Sequence, residues 1–188
     1  MLKTGNELFS FRGKSVGYQL SDFWSWQASD LLSNTLRGVL AEFIVAKALD
    51  IKIDTPRIDW IEYDLLLKKK KIEVKTSAYL QSWSKEGNSK PTFSIRPARA
   101  WTPEFGYVEP PRHADLYVFC LNTEREWKSA DSIDLDKWKF YPVLTSKIEA
   151  KYKEQKTIGL KAIEQLCQNY CDYSDLKHTV SQLLKELE

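Results

Sequence analysis

The sequence predicts an α/β (α+β) domain in which a central β-sheet is flanked by helices. Three observations carry that expectation: an apolar helical stretch beginning at Asn34, two β-rich runs on either side of four consecutive lysines, and helical periodicity beyond residue 146. A chain of 188 residues with 43% hydrophobic and 13% aromatic content can bury one substantial core. Its seven Gly and seven Pro are scattered without marking a linker, so a single domain over 1–188 is expected, with a core at about 34–145 and a helical part at about 146–188.

Each element follows from local pattern. From Asn34, taken as an N-cap, the stretch TLRGVLAEFIVAKALD sets Leu36, Val39, Leu40, Phe43 and Ile44 at helical spacing and contains no Pro. Thr55-Pro56 then makes a loop, and Trp60 to Leu67 and Ile72 to Thr76 read as a β-hairpin whose turn holds Lys68, Lys69, Lys70 and Lys71. The runs PTFSIRPA, DLYVFCL and WKFYPVL add strands, and Thr102 to Arg112 reads as a long ordered loop. Leu160, Ile163, Leu166 and Tyr170 form one helical stripe, and Leu176, Val180, Leu183, Leu184 and Leu187 another, so two amphipathic helices are expected to close the fold.

Charge and composition exclude some functions. The formal net charge is only +2, unlike a histone-like polycation, yet residues 51–101 carry 11 basic against 6 acidic groups. No apolar run approaches the ~18 residues that span a bilayer, and the N-terminus lacks the apolar stretch of a signal peptide, so no membrane partner and a cytoplasmic location are expected. Three dispersed cysteines, Cys120, Cys167 and Cys171, suggest reduced thiols rather than a disulfide framework.

The hairpin carries the chemistry. With its turn centred between Lys69 and Lys70, Asp64 falls opposite Lys75 and Glu73 lies diagonally beside Asp64 on one face, while Ile72 and Val74 point away. Two carboxylates and an ammonium are expensive to dehydrate together unless something fixes them, and a hard divalent cation such as Mg²⁺ does so through oxygen ligands. Glu42, on a helix apolar nearly all round, either leans toward this pair or forms a salt bridge with a nearby Lys or Arg.

A helix-borne Glu42, an Asp64 on one strand and the tripeptide Glu73-Val74-Lys75 on the next, followed by Gln81, resemble the PD-(D/E)xK nucleases of the restriction-endonuclease-like superfamily. The residue before Asp64 is Tyr63 rather than Pro. The resemblance implies an αβββαβ core around a mixed sheet and Mg²⁺-dependent hydrolysis of DNA phosphodiesters, with Mn²⁺ able to substitute and a role in restriction, defence or repair. In that reading Asp64, Glu73, Glu42 and the Val74 carbonyl hold the metal. Lys75 orients or helps deprotonate the attacking water, and Gln81 contacts phosphate or positions Lys75. The structural alternatives are a Lys75–Asp64 salt bridge and a Gln81 that is merely a surface group. By the same analogy a homodimer is expected, since one site handles one phosphodiester.

Arg96, Arg99, Trp101 and Arg112 interleave cations with aromatics after the hairpin, and Lys14 lies in a similar mix, the composition expected where DNA is gripped. Trp24 and Trp26 read equally as core, dimer surface or substrate wedge. The competing function is an inactive nucleic-acid-binding or protein-interaction module on the same fold.

Overall fold

The computed structural model describes residues 1–58, 61–83, 87–97, 100–102, 106–108, 112–167 and 169–187, of which 100–102 and 106–108 are described by backbone alone. In chain order, β1 (Leu8–Phe11) and β2 (Lys14–Gln19) lead into α1 (Leu20–Ala28) and α2 (Asn34–Ala48). Next come β3 (Leu65–Leu67), β4 (Lys70–Ala78), β5 (Thr92–Ser94), β6 (Ala100–Thr102), β7 (Gly106–Val108) and β8 (Leu116–Asn122). Two single-turn 3-10 helices, rather than an α-helix, connect β8 to β9 (Trp138–Leu144). The chain closes with α3 (Thr145–Tyr152), β10 (Thr157–Gly159), α4 (Leu160–Leu166) and α5 (Leu176–Lys185).

The expected central mixed sheet flanked by helices is present, with strand order β3-β4-β8-β9. β4 runs parallel to β8, from Ile72 opposite Leu116 to Ala78 opposite Asn122, and the other two pairings are antiparallel. Alternation along the strands divides the core in two. Ile72, Val74, Leu116, Val118 and Cys120 pack toward Ala41, Ile44 and Val45 of α2 and Leu176 and Val180 of α5. Tyr117, Phe119 and Leu121 pack on the other face against Phe93, Ile148, Ile158 and Ile163. Because both faces are covered, β8 is buried along its whole length and is apolar up to its terminal Asn122. All three cysteines are buried and unpaired.

Helix α2 starts one residue earlier than its sequence suggests: Ser33 is the cap, its Oγ accepting from the Leu36 N–H at 3.3 Å, and Asn34 is already helical. Asp50 takes a left-handed φ of 55° and lets the Ile51 N–H reach back to the Ala46 carbonyl at 2.9 Å, which ends the helix.

The hairpin register differs from expectation. Leu65 pairs with Ile72 and Leu67 with Lys70, so Lys68 and Lys69 alone make the turn and Asp64 lies opposite Glu73 rather than Lys75. Of the run Trp60 to Leu67, Trp60 lies outside the described residues, and strand β3 takes in only Leu65 to Leu67. A two-residue turn of matching twist needs positive φ at both positions, and Lys68 and Lys69 supply it at 48° and 69°. Residues with a Cβ adopt this conformation at a penalty of about 1 kcal/mol each. The double variant Lys68→Asn/Lys69→Gly is therefore expected to raise the thermal midpoint by about 3 °C in a melt followed by circular dichroism; an unchanged or lower midpoint contradicts the turn assignment.

Several elements were not evident in the sequence, α1 and β10 among them. The β6–β7 hairpin overlaps the segment read as a loop, α3 follows directly on β9, and β1–β2 forms a hairpin that turns through Arg12 and Gly13. No residue of α1 is buried, which removes the core reading for Trp24 and Trp26; Trp26 is 82% exposed. Tyr170, expected on the α4 stripe, lies beyond the end of that helix and is exposed. Among the described residues, no helix is long and apolar enough to cross a membrane.

Candidate active site

The site forms where β3 ends its pairing with β4. Among the described residues the edge of β4 has no β-strand partner on that side beyond Asp64, and the Val74 N–H turns outward to donate to Asp64 Oδ2 at 2.7 Å. The N–H and C=O of one strand residue point to the same side, so the Val74 carbonyl faces this edge as well. The Asp64 N–H in turn donates to the Ile72 carbonyl at 3.1 Å, fixing the aspartate at the mouth of the hairpin.

Around this edge the two layers of the protein meet. Glu73 and Lys75 lie on the sheet face opposite to Ile72 and Val74 and form an ion pair with each other. The alternative partner expected for Lys75 is Asp64; the register moves Asp64 opposite Glu73, and Lys75 pairs instead with Glu73, its same-face neighbour on β4. Glu42 comes from α2 on the other side, and Arg57 grips it with two bonds, Nε to Oε2 at 2.6 Å and Nη2 to Oε1 at 2.8 Å. Both readings of Glu42 therefore meet in one place, since it is salt-bridged and also within electrostatic range of Asp64, Glu73 and Lys75.

The electrostatics follow from crowding. Burial raises the Glu73 carboxyl above its ordinary 4.5, and the neighbouring Asp64 and Glu42 add to the rise against the opposing pull of Lys75. Burial likewise raises Glu42, with Asp64 adding to it and Arg57 and Lys75 opposing. Burial would lower Lys75, but the charges of Glu73, Asp64 and Glu42 overcome it and the ammonium is held above its ordinary 10.5. Tyr117, opposite Glu73 on β8, is pushed up by burial and by that carboxylate.

These shifts have a consequence for stability. A carboxyl raised in the folded state binds protons more tightly there than in the unfolded chain, so stability grows as pH falls toward 4.5 through the range where Glu42 and Glu73 titrate. Glu7, Glu62, Glu124 and Asp172 are lowered by hydrogen bonds from backbone and side-chain donors, so their contribution is lost only below that range. In EDTA, urea unfolding from pH 7.5 to 4.5 is expected to show rising stability, and Glu73→Gln to flatten the rise. A fall across that window in the wild type contradicts the placement.

All the candidate donors at the edge are oxygens, Asp64, Glu73, Glu42 and the Val74 carbonyl, which suits a hard cation. As the side chains stand, however, Glu42 is turned to Arg57, Asp64 to the Val74 N–H and Glu73 to Lys75. Among the described residues no three His, Cys, Asp or Glu side chains already converge as a metal cage. Holding a cation at this edge requires Glu42 and Glu73 to turn from their ion-pair partners.

The remaining candidates separate. Gln81 is not a surface group: it is 8% exposed, its Nε2 donates to the Ala78 carbonyl at 3.0 Å and its Oε1 accepts from Arg37 Nη2 at 3.2 Å. Arg112, expected to grip DNA, is instead an internal strut. Its side chain is 2% exposed, pairs with Glu149 at 2.5 Å and donates to the carbonyls of Ile95, Lys153 and Gln155. Lys14 is exposed beside the β1–β2 turn, and Arg96 is exposed after β5. Trp101 lies on β6, paired with Tyr107, and Arg99 lies outside the described residues.

Sequence reasoning missed Arg57 and Arg37. The available signals were an arginine in the segment joining the helix of Glu42 to the strand of Asp64, and a second arginine five positions before Glu42 on an otherwise apolar helix.

Residues 13–163, which include every residue at the β4 edge, match the family model of bacteriophage T4 endonuclease IV. No curated protein matches the chain significantly.

Proposed function

Because the chain belongs to the bacteriophage T4 endonuclease IV family, a nuclease family, we propose that it hydrolyses DNA phosphodiester bonds with Mg²⁺ at the β4 edge, in the manner of the PD-(D/E)xK nucleases. The observation that carries this reading is the gathering of Glu42, Asp64, Glu73 and Lys75 around the outward-facing backbone of Val74. Asp64, Glu73, Glu42 and the Val74 carbonyl would hold the ion, which when bound would supply Lewis-acid stabilisation of negative charge on the phosphate. Lys75, kept protonated by three carboxylates, directs its ammonium to the attacking water and to the developing negative charge. Gln81 acts through its neighbours, holding the end of β4 to α2 by way of Arg37. Lys14 and Arg96 offer exposed cations for the DNA backbone, and a second copy of the chain would supply the cut in the opposite strand.

The two ion pairs favour a second reading, an inactive nucleic-acid-binding or protein-interaction module in which Glu42–Arg57 and Glu73–Lys75 are structure alone. Calorimetric titration with Mg²⁺ and Mn²⁺ separates them. The nuclease reading requires binding that Asp64→Asn weakens by at least about tenfold, as expected for loss of one charged ligand. No binding of either metal supports the second reading.

A further inference from the structure

Helix α2 is apolar on more sides than one core contact requires. Ala41, Ile44 and Val45 face the sheet, whereas Val39, Glu42, Phe43 and Ala46, which recur at the spacing of a single helical face, line a cleft of about 410 Å³. The opposite wall is formed by residues of the segment joining α2 to β3, among them Ile51, Ile58 and Ile61, and by Leu66 of β3. These walls keep much apolar surface in contact with solvent: Val39, Phe43, Ile58, Ile61 and Leu66 are all exposed. Glu42, Arg57 and Asp64 stand in the same lining, so the cleft opens directly onto the proposed site of cleavage.

We propose that this cleft is a nucleobase-binding site that seats the nucleoside beside the cleaved phosphodiester. The inference rests on the nuclease reading. Three features select the occupant. A phosphodiester held through a cation at the β4 edge would carry its sugar and base with it, and the space adjoining Asp64 and Glu42 is this cleft. A base has flat apolar faces and polar edges, matching walls of Val39, Phe43 and isoleucine side chains with charged groups at one end. The cleft volume suits one base with its sugar and excludes a stacked duplex, so the base enters only when drawn out of the stack. Arg57, already turned to Glu42 at the junction, places a cation where the phosphate and the base meet.

The test is cleavage in Mg²⁺ of oligonucleotides carrying a single abasic site at successive positions around the cut. In the wild type, removing the one base that occupies the cleft should lower kcat/KM by about tenfold or more, and removal elsewhere by less than about threefold. Val39→Trp, which fills the cleft from the exposed side of α2, should slow the intact substrate and erase the difference between intact and abasic. Ile58→Trp fills it from the opposite wall and serves if the first variant does not fold. A wild type that cuts every abasic substrate as fast as the intact one overturns the base site and leaves the nuclease reading standing. Absence of cleavage of any substrate removes both.

Discussion

Lys75→Ala is expected to reduce DNA cleavage by about a thousandfold while the protein remains folded. The side chain is partly exposed at a sheet edge and pairs with Glu73, so its removal leaves no large cavity. Unfolding free energy should change by less than about 2 kcal/mol, since Glu73, already raised, can take up a proton once the ammonium is gone. Asp64 calls for a different substitution. Its Oδ2 accepts from the Val74 N–H, so Asp64→Ala would disturb the hairpin as well as the chemistry, whereas Asp64→Asn keeps an acceptor and removes only the charge. Both Lys75→Ala and Asp64→Asn are to be compared with the wild type in single-turnover cleavage assays. Activity within tenfold of wild type in either variant contradicts the site.

Arg37→Ala is expected to have the largest effect on stability, a loss of about 3–4 kcal/mol in urea unfolding. Arg37 is a charged side chain only 2% exposed, and burial lowers its pKa. It donates to the Leu32 carbonyl at 2.8 Å, to Asn34 Oδ1 and to Gln81 Oε1, so it ties the start of α2 to the segment that follows β4. Alanine would strand the buried Gln81 Oε1, release the Leu32 carbonyl and Asn34 Oδ1, and leave a void. Arg37→Met, which restores volume without the donors, should recover part of the loss. Because Gln81 is held from one side by this guanidinium, both variants also release its amide. A loss below about 1 kcal/mol for Arg37→Ala would mean that water replaces the guanidinium at little cost and that the contact does not hold the two segments together.

The parts of the fold that were legible in the sequence are those set by local pattern. The periodicity of α2 and α5, the strand character of DLYVFCL and WKFYPVL, and the clustering of Asp64, Glu73 and Lys75 follow from spacing alone. The hairpin register was not, because four lysines in a row offer no residue that prefers positive φ, and only the packed strands decide that Lys68 and Lys69 turn. Partners distant in sequence were equally hidden. Glu42 could be seen to need a cation but not that Arg57 provides it. Arg112 looked like a DNA contact because neither its burial nor its pairing with Glu149 leaves a local trace. Gln81 was identified for a motif position, and the structure gives it a definite anchoring partner in Arg37. The all-round apolar character of α2 was visible, but its second face acquires meaning only beside the cleft.

The central claim is that the β4 edge is a metal-dependent nuclease centre. Incubation of the protein with supercoiled plasmid, linear duplex and single-stranded DNA, in Mg²⁺, in Mn²⁺ and in EDTA, with Lys75→Ala alongside, tests it directly. The account predicts nicking or cutting of at least one substrate in either metal, none in EDTA and a loss of about a thousandfold in the variant. Cleavage that persists undiminished in EDTA, or in Lys75→Ala, would contradict it.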